Sequence, residues 1–223
     1  MPTFDLYLFD LDGTLVDTAP EVCDAVNDTL RRFDLPEVGQ VQVTEWIGHG
    51  MQELLIQALA HAGQIAVATV RGSDSLALIA SEFSRYYLQR CGSRSQLYPH
   101  AREVLLALRA RNAKLALVTN KESRYAAALL TAHALTPLFD LQICGDTLPS
   151  RKPDPAGIEH CLSATQVPRE RALFVGDSSI DVAAALQAGV AVWAVPYGYN
   201  MGQAIAESRP DRILSDLAEL LDE

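Results

Sequence analysis

The chain has 223 residues, 49% of them hydrophobic and 21% charged, with a formal net charge of −10 and a pI near 4.9. This is the balance of an ordinary globular protein, long enough for one large domain or two moderate ones with a real core. It argues against nucleic acid as a partner, since backbone binding needs a basic footprint. An acidic protein still binds phosphate where a metal ion reverses the local sign.

The cysteines Cys23, Cys91, Cys144 and Cys161 stand far apart, with no C-x-x-C and no finger-like spacing. They read as small apolar residues in a reducing compartment, not as disulfides or zinc ligands. The N-terminus has no basic segment ahead of its short apolar stretch, so no signal peptide is expected. The longest apolar run, 182–195, is interrupted by Gln187 and split by Gly189, and is too short to cross a bilayer. A cytoplasmic protein without a membrane partner is expected. Asn27-Asp28-Thr29 matches the glycosylation pattern but lacks a secretory context.

Along the chain, Leu6–Phe9 reads as a first strand. Helical stripes follow, at Val22, Val26, Leu30 and Phe33, then at Leu54, Leu55, Ala58 and Leu59, then at Leu78, Ile79, Phe83 and Tyr86. The stretch 65–70 fits either helix or strand. From Leu97 onward the pattern changes. Strands at 114–119, 141–144, 172–175 and 191–195 alternate with helices at 101–111, 123–133, 155–164 and 180–188. The strands are apolar with little alternation, as expected when both faces are covered. Asp154 is placed to cap a helix that has Pro155 at its first position, and Gly189 closes the last of these helices. The fold class expected is α/β, a doubly wound, Rossmann-like parallel sheet with right-handed crossovers. Its core is residues 1–17 and 97–223. Residues 18–96 form an inserted helical domain, bounded by the loop-like Asp17-Thr18-Ala19-Pro20 and Gly92-Ser93-Arg94-Ser95-Gln96.

Four stretches carry chemistry. The first strand runs into Asp10-Leu11-Asp12-Gly13-Thr14, where two carboxylates one residue apart share a side and a glycine permits a turn. Strand 172–175 runs into Gly176-Asp177-Ser178-Ser179-Ile180-Asp181. Asp177 serves either as a helix cap or as a ligand, and Asp181 follows one helical turn later. Parallel sheets bind ligands beyond the carboxyl ends of their strands, so Asp10, Asp12, Asp177 and Asp181 are candidates for a hard, oxygen-ligated magnesium site. Thr119-Asn120-Lys121 ends a third strand, and Lys152-Pro153 precedes a proline-stiffened helix start. There is no G-x-x-x-x-G-K-[ST] loop and no G-x-S-x-G elbow, so nucleotide-triphosphatase and serine-hydrolase readings lose their main support.

In these four stretches the chain resembles the haloacid dehalogenase superfamily over essentially its whole length. The stretches Asp17-Thr18-Ala19-Pro20, Thr119-Asn120-Lys121 and Pro196-Tyr197-Gly198-Tyr199-Asn200 are most similar to its bacterial phosphoglycolate phosphatases. The resemblance implies a Mg2+-dependent phosphatase of a small anionic phosphate ester, with 2-phosphoglycolate as the expected substrate. Asp10 would be the nucleophile that becomes an aspartyl-phosphate, and Asp12 the general acid and base. Metal would be held by Asp10, the Asp12 carbonyl and Asp177, supported by Asp181; phosphate would be held by Thr119, Asn120 and Lys152. Asp12 also favours an oxygen leaving group, since the superfamily's dehalogenases lack this second aspartate.

The inserted domain would be a mobile cap. Within it, Gly48-His49-Gly50 reads either as an amide cradle for an anion or as a plain interhelical loop. Arg71, Arg85, Arg90 and Arg94 are candidate carboxylate partners with none singled out. The competing expectations are another phosphate ester (sugar phosphate, nucleotide or pyrophosphate), a β-phosphoglucomutase-like mutase and a non-catalytic binding module. A monomer or homodimer is expected.

Overall fold

Leu6–Phe9, an unbroken buried Leu-Tyr-Leu-Phe run, forms β1 at the middle of the molecule. The computed structural model describes residues 4–222. Two short strands, β2 (Val16–Asp17) and β3 (Gln96–Leu97), flank the helical insertion. They are followed by β4 (Lys114–Val118), β5 (Leu141–Ile143), β6 (Ala172–Gly176), β7 (Ala191–Ala194) and β8 (Arg212–Ile213). The main sheet has six strands in the order β5-β4-β1-β6-β7-β8, and every pairing in it is parallel. Phe9 lies level with Leu117 of β4 and Val175 of β6, so three strands end side by side. The chain leaves β1 toward β4 on one flank and reaches β6 on the other, which makes this edge the switch point of the sheet.

Successive side chains of β1 enter opposite layers. Tyr7 and Phe9 pack with Leu115, Leu117 and Leu129, whereas Leu6 and Leu8 pack with Ala116, Ile158 and Phe174. The helices that cover these faces are α6 (Ala101–Ala110), α7 (Ser123–Ala132), α8 (Ala156–Thr165) and α9 (Ser179–Ala188). Strands and helices fall within about two residues of their expected bounds. Helix α8 begins at Ala156, one residue late, yet Asp154 Oδ1 accepts from the Ala156 amide at 2.9 Å as a capping side chain would. Gly189 ends α9 at φ 70°, where a residue with a Cβ is strained.

The insertion builds its own core from α1 (Ala19–Arg32), α2 (Gln40–Trp46), α3 (Met51–Gly63), α4 (Val67–Arg71) and α5 (Leu76–Arg90). The ambiguous 65–70 stretch resolves as the short helix α4. One stripe needs correction at its edge: α5 buries Phe83 and Tyr87 and packs Ile79 and Tyr86 half-buried beside them, while Leu78 is 61% exposed. The reason is that α5 meets α1 and α7 along the Phe83–Tyr87 side, where the Tyr87 and Tyr125 rings pack at a tilt with centres 4.7 Å apart. The two chain crossings into this layer are fastened together. Val16 and Asp17 pair antiparallel with Leu97 and Gln96, and the Tyr98 amide donates to Leu15 at 3.0 Å. The cysteines are free thiols; Cys23, Cys144 and Cys161 are buried and Cys91 is half-buried. No helix among the described residues is long and apolar enough to cross a membrane.

Candidate active site

Three strand ends deliver polar groups to one cavity. The Asp10 amide still donates into the sheet, to Val175 O at 3.0 Å, and the Thr119 amide to Ile143 O at 2.9 Å. Their side chains therefore emerge just past the last apolar residues of β1 and β4. Asp177 follows β6 in the same way. Asp10, Asp12, Thr119, Asn120, Lys152, Asp177 and Asp181 all line this cavity, joined by Lys121.

The Asp177–Asp181 pair is built by the start of α9. Ser178 and Asp181 form a reciprocal capping box, and Asp181 Oδ2 also accepts from the Asp177 amide at 3.1 Å. Asp181 Oδ1 takes Lys152 Nζ at 2.7 Å. Asp177 is oriented from both sides, accepting Thr14 Oγ1 and the Tyr199 amide, each at 2.6 Å. Gly13 is required beside it: at φ +86°, a Cβ there would stand 2.2 Å from Asp177 Oδ2. One oxygen from each of Asp10, Asp177 and Asp181 lies within 4.8 Å of the others. Such an all-oxygen set suits a hard divalent cation.

The site carries more negative than positive charge. Four carboxylates (Asp10, Asp12, Asp177, Asp181) face two buried ammonium groups, Lys121 and Lys152. Asp10 Oδ1 stands 2.9 Å from Lys152 Nζ but receives no hydrogen bond of good geometry. Burial pushes the Asp10 carboxyl up to about 6, opposed by Lys152, and burial with the nearby Asp181 raises Asp177 well above the carboxylate range. Both ammonium groups are held above their ordinary range by their carboxylate neighbours, against burial. A divalent cation would balance this arrangement.

A prediction for the metal-free protein follows. A carboxyl whose folded value lies above its unfolded one stabilises the fold at low pH and loses that contribution as pH rises through the folded value. For Asp10, the rise from 3.8 to about 6 corresponds to on the order of 3 kcal/mol. The metal-free Tm is therefore expected to rise as pH falls from 8 to 5, measured by differential scanning calorimetry. Carboxyls held low by partners, such as Asp5 and Asp146, act in the opposite direction, below about pH 4. Saturating magnesium is expected to flatten this slope, because a bound cation holds the carboxylates ionised.

Other residues shape the cavity from the helical side. Ile47, Gly48, Gly50 and Met51 form its roof. Asn120 joins the two layers: its Nδ2 donates to Gly48 O at 3.0 Å and to Lys152 O at 2.9 Å. Both side-chain N–H groups are thus used within the protein, so a donor from Asn120 to phosphate would be its backbone amide. The arginines of the insertion are engaged elsewhere. Arg71 pairs with Glu53, Arg85 with Glu82, Arg90 with Asp28 and Arg94 with Asp24, none of them among the cavity's lining residues.

Sequence reasoning did not assign roles to Lys121, Thr18, Tyr87 or Tyr199. Lys121 Nζ stands 2.9 Å from Asp12 Oδ1 and donates to Tyr87 Oη at 2.5 Å. Tyr199 Oη accepts the Thr18 and Ala19 amides at 2.9 and 3.0 Å and donates to Asp17, satisfying the start of α1 at a chain crossing. The available signal was Thr119-Asn120-Lys121 itself, a lysine close behind an apolar strand end.

Comparison with known proteins agrees with this geometry. The family model described as haloacid dehalogenase-like hydrolase matches residues 7–195. Phosphoglycolate phosphatase of Pseudomonas syringae pv. tomato is 40% identical over 220 residues, covering 97% of this chain and 78% of that protein. Phosphoglycolate phosphatase of Vibrio cholerae is 35% identical over 222 residues, covering 100% and 97%. The crystal structure of a predicted phosphoglycolate phosphatase from Haemophilus somnus superposes with a TM-score of 0.92 at 35% identity, covering 100% of this chain and 98% of that one. With a carboxylate cluster at the switch point of a parallel sheet and these matches along nearly its full length, the chain belongs to the haloacid dehalogenase-like hydrolases and is a phosphatase, a phosphoric monoester hydrolase.

Proposed function

We propose that this phosphatase hydrolyses 2-phosphoglycolate to glycolate and phosphate through an aspartyl-phosphate on Asp10, with Mg2+ as its cofactor. The observation that carries the reading is the pair Asp10 and Asp12 on one cavity wall, the first beside Lys152 and the second beside Lys121. The names of the relatives supply the substrate.

In this reading an Asp10 carboxylate oxygen bonds to phosphorus as the ester P–O bond breaks. Asp12, protonated, gives its proton to the departing alkoxide. Water then attacks phosphorus, Asp12 takes its proton, and the Asp10–phosphorus bond breaks. Lys152 lowers the repulsion between Asp10 and a dianionic ester and binds a phosphoryl oxygen. Thr119 Oγ1 accepts the Lys121 amide at 3.3 Å, which leaves its own proton to donate to another. Asp10, Asp177 and the Asp12 carbonyl would hold the cation, with Asp181 in support. When bound, the cation neutralises charge on the transferring group. Residues 18–96 act as a cap. The cavity measures about 20 Å³, room for one water, so in this reading an ester enters as the cap moves away.

The test is a kcat/KM panel of phosphate esters with and without magnesium. Fastest turnover of 2-phosphoglycolate, lost on chelation, is expected. Preference for a sugar phosphate, nucleotide or pyrophosphate would overturn the substrate, and isomerised hexose phosphate in place of free phosphate would overturn hydrolysis itself.

A further inference from the structure

The aspartate that handles protons in the proposed mechanism is held by one oxygen only. Thr18 Oγ1 donates to Asp12 Oδ1 at 2.6 Å, and Lys121 Nζ stands 2.9 Å from the same atom. Among the described residues no group donates to Asp12 Oδ2. Lys121 itself is 2% exposed, and its ammonium lies 2.5 Å from Tyr87 Oη and 4.8 Å from the centre of that ring. Tyr87 belongs to α5 of the inserted layer and is packed between Phe83 and Tyr125. A rigid aromatic from one layer thus fixes a cation that in turn fixes a carboxylate of the other.

We propose that Lys121 is a positioning residue: anchored on the Tyr87 hydroxyl of α5, it pins Asp12 by Oδ1 and leaves Oδ2 as the atom that exchanges the proton with leaving group and water. The inference rests on the role given to Asp12 above. A long side chain between two layers would otherwise sample several rotamers, and a lone aspartate beyond a strand end would do the same. Clamping one oxygen with a hydroxyl and an ammonium selects one rotamer and leaves the other oxygen its proton. The Tyr87 contact joins that selection to the docked position of α5. A simple charge-neutralising role for Lys121 would leave the two chemical steps equally sensitive to its loss; a positioning role does not.

The experiment compares wild type, Lys121→Met, Tyr87→Phe and Asp12→Asn with magnesium on two esters. One is the best alkyl phosphate of the panel; the other is p-nitrophenyl phosphate, whose leaving group departs without a proton. For Lys121→Met, kcat on the alkyl ester is expected to fall on the order of 10²- to 10³-fold, the range of general acid–base catalysis. First-turnover release of p-nitrophenol is expected to fall less than about tenfold, followed by a slow steady state as the aspartyl-phosphate waits for a poorly activated water. Tyr87→Phe should show the same split at smaller size, and it carries the test alone if Lys121→Met fails to fold. Equal losses in the first turnover of both esters, or no loss, in the folded variants would overturn the inference. If Asp12→Asn shows the split and the Lys121 and Tyr87 variants do not, only this inference fails. If Asp12→Asn shows no split, the role given to Asp12 fails with it.

Discussion

Asp10→Asn is expected to lower kcat by at least about 10⁴-fold, as the removal of a covalent nucleophile does, while leaving the metal-free fold as stable as wild type or more so. The two halves of this prediction come from the same geometry. Asp10 is one of four carboxylates around two ammonium groups, and its Oδ1 receives no well-aligned hydrogen bond. Replacing the carboxylate by a neutral amide removes repulsion with Asp181, Asp12 and Asp177, and Lys152 keeps its 2.7 Å contact with Asp181. An ordinary truncation of a buried charge partner costs stability, because it strands the opposite charge. Here the strandable cation retains a second partner. Calorimetry without metal, set beside phosphate release with magnesium, reads both halves. A Tm well below wild type would show that Asp10 is a structural carboxylate, and residual turnover within about tenfold would remove it from the chemistry.

The elements most legible in the sequence were those whose signal is local. The strands β1, β4 and β6 are apolar on both faces because helices cover both, and their ends are marked by polar residues that the sheet has no room for. The helical insertion was legible in outline: on α5, Phe83 of the expected stripe is buried and Ile79 and Tyr86 pack half-buried on the same core, but Leu78 is exposed and Tyr87 takes a place the stripe did not include. Leu78 is as apolar as Phe83, and only contact with α1 and α7 decides which of them is buried. The strands β2, β3 and β8 are two residues long, too short for any periodicity, and exist because a distant segment pairs with them. The same division runs through the site. Asp10, Asp12, Thr119, Lys152, Asp177 and Asp181 each sit beside a strand end or helix start, so their gathering at one edge could be read from order alone. The roles of Tyr87 and Tyr199 depend on partners 34 and 182 residues away, Lys121 and Asp17, and no local pattern encodes them. Asn120 shows the converse: its side-chain donors reach Gly48 O and Lys152 O, contacts that its place behind a strand end does not announce, and its backbone amide is the donor left to face the cavity.

Lys152→Met separates charge stabilisation from metal binding at this site. Lys152 Nζ lies 2.9 Å from Asp10 and 2.7 Å from Asp181, and it is 5% exposed. Its loss leaves four carboxylates facing Lys121 alone. Removing one partner of a buried ion pair costs about 3–5 kcal/mol, so the metal-free variant is expected to melt well below wild type at pH 8. Acid should restore part of that loss, since Asp10 is already raised to about 6 by burial and loses the ammonium that opposes the rise. The turnover loss should reach at least about 10³-fold, because the variant lacks a cation beside the nucleophile and a donor to the phosphoryl oxygens. Metal affinity moves the other way. A site with one fewer positive charge attracts a divalent cation more strongly, so isothermal titration should give magnesium binding at least as tight as wild type. Asp177→Asn, by contrast, removes an expected ligand and should weaken that binding. If Lys152→Met and Asp177→Asn lost metal alike, Lys152 would be organising the ligands rather than serving the phosphoryl group, and its place in the mechanism would have to be withdrawn.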